Sequence, residues 1–189
     1  MEGEYYKTKE SVNEYIKLAK DVSGIDLIER LKKHLASHSL LLEIGSGPGT
    51  DWEILRDTFD VIGSDNSEEF LSHLKTKFPK GEFHLIDASS LEIDKTMDGI
   101  YSNKVLHHLK DDELTKSIQR QHEILNKDGI ICHSFWKGEG SEIFKGLFVN
   151  YHTHESIQNH FEEHFEIILS EDYAEFDEND SILVIAKKK

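Results

Sequence analysis

Short apolar runs alternate with amphipathic stretches along most of the chain, a pattern that predicts an α/β fold. Seven runs are predicted to be strands, and they cover residues 40–44, 61–65, 83–87, 97–103, 130–136, 165–169 and 181–186. Most of the first five runs are separated by segments whose apolar residues have helical spacing. This alternation predicts parallel strands with helices on both faces of the sheet. The acidic turn 171–180 leaves no room for a helix, so the last two strands are predicted to form an antiparallel hairpin.

Two amphipathic stretches precede the first strand, at residues 8–19 and from residue 25 to about residue 37. They lie outside the repeating α/β pattern, so the simplest interpretation is that they cover an edge of the sheet. Further along the chain, Asn66 and Thr153 are predicted to cap helices. The apolar cluster at residues 144–149 is predicted to form another short helix.

A turn with glycine at alternate positions follows the first strand. Gly45, Gly47 and Gly49 permit positive φ angles and let a ligand approach the backbone closely. The succession of strand, glycine turn and helix is typical of nucleotide-binding α/β folds. The dinucleotide pattern G-x-G-x-x-G/A requires glycine or alanine where this chain has Thr50, so the turn departs from that pattern.

The second predicted strand ends at Asp65, twenty residues beyond Gly45 (65 − 45). Nucleotide-binding α/β folds place an acidic residue at about this distance, where it accepts hydrogen bonds from ribose hydroxyl groups. The alternative is an ordinary aspartate near the start of a helix. Spacing and position at a strand end together favour a ribose-binding residue.

Composition restricts the class of partner. The chain has 189 residues, a net charge of −15 and a pI near 5.2, which disfavours nucleic acid and anionic membranes as partners. No apolar run approaches the ~20 residues that cross a bilayer. The acidic start of the chain lacks a signal-peptide core, so a cytoplasmic location is expected. The single cysteine, Cys132, excludes an internal disulfide and a cysteine zinc cluster.

Two motifs resemble those of one family. Residues 43–50, E-I-G-S-G-P-G-T, resemble the first motif of class I S-adenosylmethionine-dependent methyltransferases, and residues 102–109, S-N-K-V-L-H-H-L, resemble the fourth motif of their small-molecule members. The resemblance covers residues 40–187. It implies a seven-stranded, doubly wound, Rossmann-like sheet in the order 3-2-1-4-5-7-6, ending in the antiparallel hairpin. It also implies methyl transfer from S-adenosylmethionine to a small molecule.

The length suits one α/β domain. The resemblance divides residues 1–189 into an N-terminal helical lid, residues 1–38, and an α/β core, residues 39–189. In related enzymes such a lid turns an aromatic side chain toward the cofactor. Tyr5, Tyr6 and Tyr15 are the expected counterparts in this chain.

The resemblance also implies which residues hold the cofactor. Asp65 would accept hydrogen bonds from the ribose, Asp87 would accept one from the adenine amino group, and Ala88 would offer its backbone amide. Lys104 stands where the family has a small or apolar residue, and its side chain is expected to turn to solvent. The implied cofactor residues are Glu43, Gly45, Ser46, Gly47, Asp65, Asn66, Asp87, Ala88, Asn103 and Lys104.

Direct transfer without a covalent enzyme intermediate is the expected mechanism, because a sulfonium already carries an activated methyl group and mainly needs alignment with the acceptor. A base is needed only where the acceptor retains its proton at neutral pH. His107 and His133 are the predicted bases, with His108 beside them. Packing in the core is the alternative for each histidine.

Aromatic residues are predicted to enclose the acceptor. Tyr15, Trp136 and Tyr151 are the expected pocket residues, with Phe135 and Phe144 near them in the sequence. Aromatic side chains exclude water and hold a cation or a flat ring. The alternative is that they belong to the hydrophobic core.

Parts of the sequence suggest three alternatives to methyl transfer. His160 and His164 are four residues apart, as are His34 and His38, but no third ligand is indicated and no metal site is predicted. A nicotinamide-dependent oxidoreductase is an alternative that Thr50 and the fourth motif disfavour. A non-catalytic S-adenosylmethionine-binding protein is a further alternative, because a fold does not determine an activity.

Overall fold

The computed structural model describes residues 6–20 and 22–189. Seven strands form one sheet in the order β3-β2-β1-β4-β5-β9-β8, and two more form a separate hairpin, β6-β7. The strands are β1 (Leu40–Ile44), β2 (Asp60–Asp65), β3 (Glu82–Leu85), β4 (Met97–Asn103), β5 (Leu125–Trp136), β6 (Ser141–Phe144), β7 (Leu147–Asn150), β8 (Phe165–Tyr173) and β9 (Ser181–Lys188).

The strand order confirms the prediction made from the sequence. β1 is central and pairs in parallel with β2 and β4, while β9 is antiparallel to both β5 and β8. Because the hairpin β6-β7 precedes them in the chain, the predicted strands 6 and 7 are β8 and β9. Their positions in the sheet are those that were predicted. The carboxyl ends of β1 to β5 therefore meet at one edge of the sheet.

Six α-helices accompany the strands among the described residues. They are α1 (Lys9–Leu18), α2 (Ile25–Leu31), α3 (Thr50–Leu55), α4 (Glu68–Lys77), α5 (Asp111–Ile124) and α6 (His154–Phe161). Thr153 caps α6 as predicted, since its side chain accepts a hydrogen bond from the Ser156 amide. The prediction for Asn66 is wrong: Ser67 caps α4 by accepting from the Phe70 amide, which places the helix start one residue later.

Hydrophobic side chains pack on both faces of the sheet, as expected for parallel strands covered by helices. One cluster joins α5 and α6 to the sheet and includes Ile100, Ile118 and Phe161. The other joins α2 and α3 to the opposite face and includes Leu31 and Leu55. No helix within residues 6–20 and 22–189 is long and apolar enough to span a bilayer.

The short helix predicted at residues 144–149 is wrong, because this segment forms the second half of the β6-β7 hairpin. Lys145 and Gly146 both have positive φ angles, 50° and 79°, and lie between the two strands. Two consecutive residues with positive φ form the turn type that suits a two-residue hairpin. Ile143 and Phe144 are consequently exposed on β6.

Two glycines of the turn after β1 differ in what surrounds them. Gly49 has φ 77°, and an added Cβ would lie 2.6 Å from Leu74 Cδ2 and 2.8 Å from Phe78 Cε2. Gly47 has φ 48°, and an added Cβ would meet nothing within 4 Å. Gly49 therefore permits helix packing, whereas Gly47 borders open space.

Gly49→Ala is expected to lower the free energy of unfolding by about 2–4 kcal/mol, because it adds overpacking to left-handed backbone strain. Gly47→Ala is the matched control and should lose only about 1 kcal/mol from the strain. Urea unfolding monitored by circular dichroism measures both. Equal losses in the two variants would contradict this account of Gly49.

Candidate functional site

A cavity of about 430 Å³ opens at the carboxyl edge of the sheet, in the size range typical of small-molecule sites. The loops after β1, β2, β3 and β4 all reach it. Every residue that the sequence implied for a cofactor contributes to its lining: Glu43, Gly45, Ser46, Gly47, Asp65, Asn66, Asp87, Ala88, Asn103 and Lys104. Residues distant in the sequence thus come together because the parallel strands end side by side.

The glycine turn is fastened to the neighbouring strand by hydrogen bonds. Ser46 donates its amide hydrogen to Ser64 O at 2.7 Å and its hydroxyl hydrogen to Glu43 Oε2. The Ser46 hydroxyl oxygen also accepts from the Ser64 amide at 3.2 Å. Glu43 is almost fully buried, and burial together with nearby Asp51 raises its pKa to about 8. Glu43 therefore organises the turn as a buried carboxyl group.

Asp65 ends β2 and holds two loops at once. Its Oδ2 accepts from the Gly47 amide at 3.0 Å, and its Oδ1 accepts from the Ser67 amide at 2.9 Å. Only 7% of the residue is exposed. Burial raises the pKa of Asp65 to about 6, although these backbone hydrogen bonds pull it down. The carboxylate thus lies between the glycine turn and the start of α4.

The end of β3 has a more open arrangement. Asp87 lies two residues beyond the strand and is exposed to solvent. Its Oδ1 accepts from the Ser89 amide at 2.8 Å, which fixes the following turn. Ala88 is half-buried at the cavity wall. Asp87 keeps lone pairs available for a further donor, since a carboxylate accepts about four hydrogen bonds.

Asp51 is a cavity residue that the sequence analysis missed. Its carboxylate accepts from the Gly24 amide at 2.7 Å, from the Tyr101 hydroxyl at 2.7 Å and from Asn103 Nδ2 at 3.1 Å. It thereby joins the segment between α1 and α2 to the end of β4. Its position in the first turn of α3, where acidic residues are common, gave no separate signal.

The expected orientation of Lys104 is wrong. Its side chain points into the protein, where Nζ donates to Phe135 O at 3.1 Å and to the Ser181 hydroxyl. The ammonium also lies 3.7 Å from the centre of the Trp136 ring. Burial lowers the pKa of Lys104 to about 7, against the opposing influence of Glu175 and Asp180. The cation is retained inside because a carbonyl, a hydroxyl and an aromatic face surround it.

Aromatic rings form another wall of the cavity. The ring of Tyr6 packs edge-on against Tyr15, with centroids 5.2 Å apart, and lies 5.8 Å from that of Phe70. Ser67, which bonds to Asp65, also donates its hydroxyl hydrogen to Tyr6 O. Tyr5, the third tyrosine considered from the sequence, lies outside the described residues. Tyr15 therefore contributes to the wall of the cavity.

His108 lines the same wall. Its Nδ1 lies 2.7 Å from Phe148 O, and a carbonyl can only accept, so Nδ1 carries the proton. In the neutral ring the lone pair is then on Nε2. Burial lowers the pKa of His108, which keeps the ring neutral at pH 7. This residue therefore offers a proton acceptor at the cavity.

The two histidines predicted as bases lie elsewhere. His133 is fully buried, with Ser102 Oγ 2.8 Å from Nδ1 and Gln121 Oε1 2.7 Å from Nε2. Both ring nitrogens are occupied, and burial lowers the pKa of His133 to about 3. His107 is also buried, which lowers its pKa well below the usual range. Neither residue lines the cavity, so packing is the better interpretation of both.

Two predicted pocket residues also fall outside the cavity. Trp136 covers the Lys104 ammonium on one side and stacks on Phe176 on the other, with ring centroids 5.9 Å apart. Tyr151 is half-buried beside the β6-β7 hairpin and donates its hydroxyl hydrogen to Glu142. Within the described part of the chain, no group of three or more potential ligands is arranged to hold a metal ion.

Comparison with known sequences finds similarity to methyltransferases. A family model described as a methyltransferase domain matches residues 41–129. An uncharacterized methyltransferase of Bacillus thuringiensis is 32% identical over 108 residues, 56% of this chain and 50% of the relative. A trans-aconitate 2-methyltransferase of Variovorax paradoxus is 35% identical over 77 residues, 39% of this chain and 30% of that enzyme. The chain thus spans about half the length of the first relative, and less of the second.

Solved structures extend the similarity to the whole fold. A Burkholderia thailandensis 1,6-didemethyltoxoflavin-N1-methyltransferase, solved with its substrate and S-adenosylhomocysteine, has a TM-score of 0.79 at 19% identity; the match covers 95% of this chain and 84% of that one. A Micromonospora echinaspora amino pentose methyltransferase, solved with S-adenosylmethionine, has a TM-score of 0.76 at 15% identity and covers 94% and 97%. At these identities the similarity shows the fold alone.

Proposed function

We propose that this chain, which is similar to methyltransferases in sequence and in fold, is a class I S-adenosylmethionine-dependent methyltransferase that transfers a methyl group to a small molecule. The observation that carries the proposal is that the glycine turn and Asp65, Asp87 and Asn103, from three strand ends, line one and the same cavity. When bound there, the cofactor supplies a methyl group on a positively charged sulfur.

The residues present fit this cofactor. Gly47 leaves the open space that a ligand close to the backbone requires. In the proposed arrangement, Asp65 accepts hydrogen bonds from the ribose hydroxyls, and Asp87 with Ala88 binds the adenine edge. Asn103 and Lys104 present backbone groups to the methionine part. The buried Glu43 holds the turn in shape without needing to touch the ligand, since its carboxyl group bonds to Ser46.

The aromatic wall supports a small-molecule acceptor. Tyr6, Tyr15 and Phe148 line the cavity together with His108, so one wall of the space consists of rings. Rings of this kind exclude water and align an acceptor. The two solved structures described above are of methyltransferases named for 1,6-didemethyltoxoflavin and for an amino pentose, both small molecules. A surface with a net charge of −15 also supports this acceptor class over nucleic acid.

His108 is the proposed proton acceptor, in place of His107 and His133. Its neutral ring exposes a lone pair on Nε2, because Phe148 O holds the proton on Nδ1. An acceptor hydroxyl or amine can donate its hydrogen to that nitrogen while its own lone pair attacks. The protein's other contributions are alignment and exclusion of water, and we assign the latter to the proposed lid, residues 1–38.

Asp65→Ala is expected to weaken S-adenosylhomocysteine binding by about 1.5–3 kcal/mol, because it removes a charged hydrogen-bond acceptor. Isothermal titration calorimetry measures the change. Asp60→Ala is the matched control, since Asp60 is exposed at the opposite end of the same strand. Unchanged affinity in Asp65→Ala, or a wild-type protein stabilised by NAD instead of S-adenosylhomocysteine in a thermal-shift assay, would contradict the proposed site.

The pH dependence of binding follows from the pKa of Asp65, which is about 6 in the free protein. Ribose hydroxyls that donate to the carboxylate favour its charged form and lower this pKa in the complex. Affinity for S-adenosylhomocysteine should therefore fall as pH decreases from about 7.5 to about 5.5. Asp65→Asn should lose this part of the pH dependence in calorimetric titrations, and identical profiles for both proteins would refute the assignment.

His108→Ala is expected to reduce turnover by roughly 10²-fold on an acceptor that must lose a proton, while S-adenosylhomocysteine affinity stays unchanged. An acceptor is found by screening small-molecule pools for S-adenosylhomocysteine release. His84→Ala is the control, because His84 is exposed and pairs with Glu82 on β3. Full turnover in His108→Ala across the pH range would leave alignment as the protein's main contribution.

A further inference from the structure

Lys104 combines two unusual features at the end of β4. Its φ of 54° is in the left-handed region, which non-glycine residues adopt at a cost of about 1 kcal/mol or more. Its long side chain lies inside the protein although the residue borders the cavity.

Two hydrogen bonds connect the Lys104 ammonium to strands beyond β4. One goes to Phe135 O on β5 and the other to the Ser181 hydroxyl on β9. Ser181 in turn donates to Asp180 Oδ1 at 2.7 Å. The rings of Trp136, at the end of β5, and Tyr173, at the end of β8, lie 3.7 Å and 5.0 Å from Nζ. The lysine thus spans three neighbouring strands at their cavity ends.

The backbone of the same residue is also fixed. The Lys104 amide donates to Ser134 Oγ at 2.9 Å, and Ser134 donates to Asn103 Oδ1 at 2.6 Å. Asn103 then donates from Nδ2 to Asp51. These bonds hold both residues that the proposed function assigns to the methionine part of the cofactor.

Val105, the residue after Lys104, connects the loop after β4 to the glycine turn by direct contact. An added Cβ on Gly45 would lie 2.5 Å from Val105 Cγ2 and 2.8 Å from Cγ1, so Val105 packs directly on the Gly45 backbone. A displacement of the loop after β4 would move Val105 and alter the space beside Gly45. The far side of the cavity, at Asp65 and Asp87, belongs to other loops and lacks such a contact with Lys104.

We propose that Lys104 is a positioning residue whose inward side chain holds the loop after β4 in the shape that binds the methionine part of the cofactor. This inference rests on the proposed function. It adds that the residues that hold the methionine end of the cofactor are positioned separately from those that hold the adenosine end. It also explains why a lysine is compatible with a site for a sulfonium: its charge is directed away from the cavity, toward Phe135 O and Ser181.

The test compares two ligands that differ in the methionine part. S-adenosylhomocysteine has it, and adenosine lacks it. Lys104→Met keeps the aliphatic stem but removes the ammonium. Its affinity for S-adenosylhomocysteine should fall about tenfold in calorimetry, and its affinity for adenosine, measured directly or by competition, should stay within about twofold.

Two further variants complete the experiment. Ser181→Ala removes one partner of the ammonium and should weaken S-adenosylhomocysteine binding about threefold, again with adenosine unaffected. It tests the proposal even if Lys104→Met does not fold. Lys187→Met is the matched control, because Lys187 lies near the other end of β9, where its side chain is 41% exposed and pairs with Asp128. It should bind both ligands as the wild type does.

Unchanged S-adenosylhomocysteine affinity in both Lys104→Met and Ser181→Ala would overturn the proposal while leaving the proposed function intact. Equal losses for both ligands would also overturn it, since they would indicate general destabilisation. A wild-type protein that binds neither ligand would contradict the proposed function itself, and this inference with it.

Discussion

The buried hydrogen bonds of Ser46 are the constraint on which the cavity depends. A turn with three glycines has many accessible conformations, and the bonds from Ser46 to Glu43 and Ser64 select one of them. In that conformation the Gly47 amide reaches Asp65, and Gly45 lies under Val105. The ends of β1, β2 and β4 are thereby fixed relative to one another without any contact that depends on a ligand.

The burial of three carboxyl groups is the main cost of this arrangement. Glu43, Asp51 and Asp65 are all buried around one cavity, and burial raises the pKa of Glu43 and of Asp65. Backbone amides and hydroxyl groups compensate in part, because each carboxyl group accepts at least one hydrogen bond from the protein. Such a site favours a ligand that carries positive charge and hydroxyl donors, in agreement with a sulfonium attached to a ribose.

Sequence reasoning predicted the seven strands of the main sheet and the residues at their ends because a buried strand has a strong pattern, and the family resemblance implied the strand order. The run at residues 40–44 and the acids Asp65 and Asp87 needed no tertiary information. Lys104 could not be predicted in the same way, since the direction of its side chain depends on a positive φ and on partners from β5 and β9. His133 likewise appeared available because the sequence does not show Gln121 and Ser102 beside it.

The segment at residues 141–150 illustrates a different limit. Its apolar residues suit either a short helix or a hairpin, and the choice is made by the backbone at Lys145 and Gly146. Trp136 and Tyr151 were expected at the cavity because they lie near it in the chain. Their actual partners, Lys104 and Glu142, depend on how this hairpin and the β8-β9 turn pack.

Cys132 lies on β5 between β4 and β9, and it is fully buried. Burial raises the pKa of its thiol, so the nucleophilic thiolate is scarce as well as inaccessible. An alkylating reagent can reach this sulfur only after the centre of the sheet opens. The rate of thiol modification in native buffer therefore measures how often the sheet opens. With a reagent too dilute to perturb the protein, the same rate shows how much each bound small molecule slows that opening.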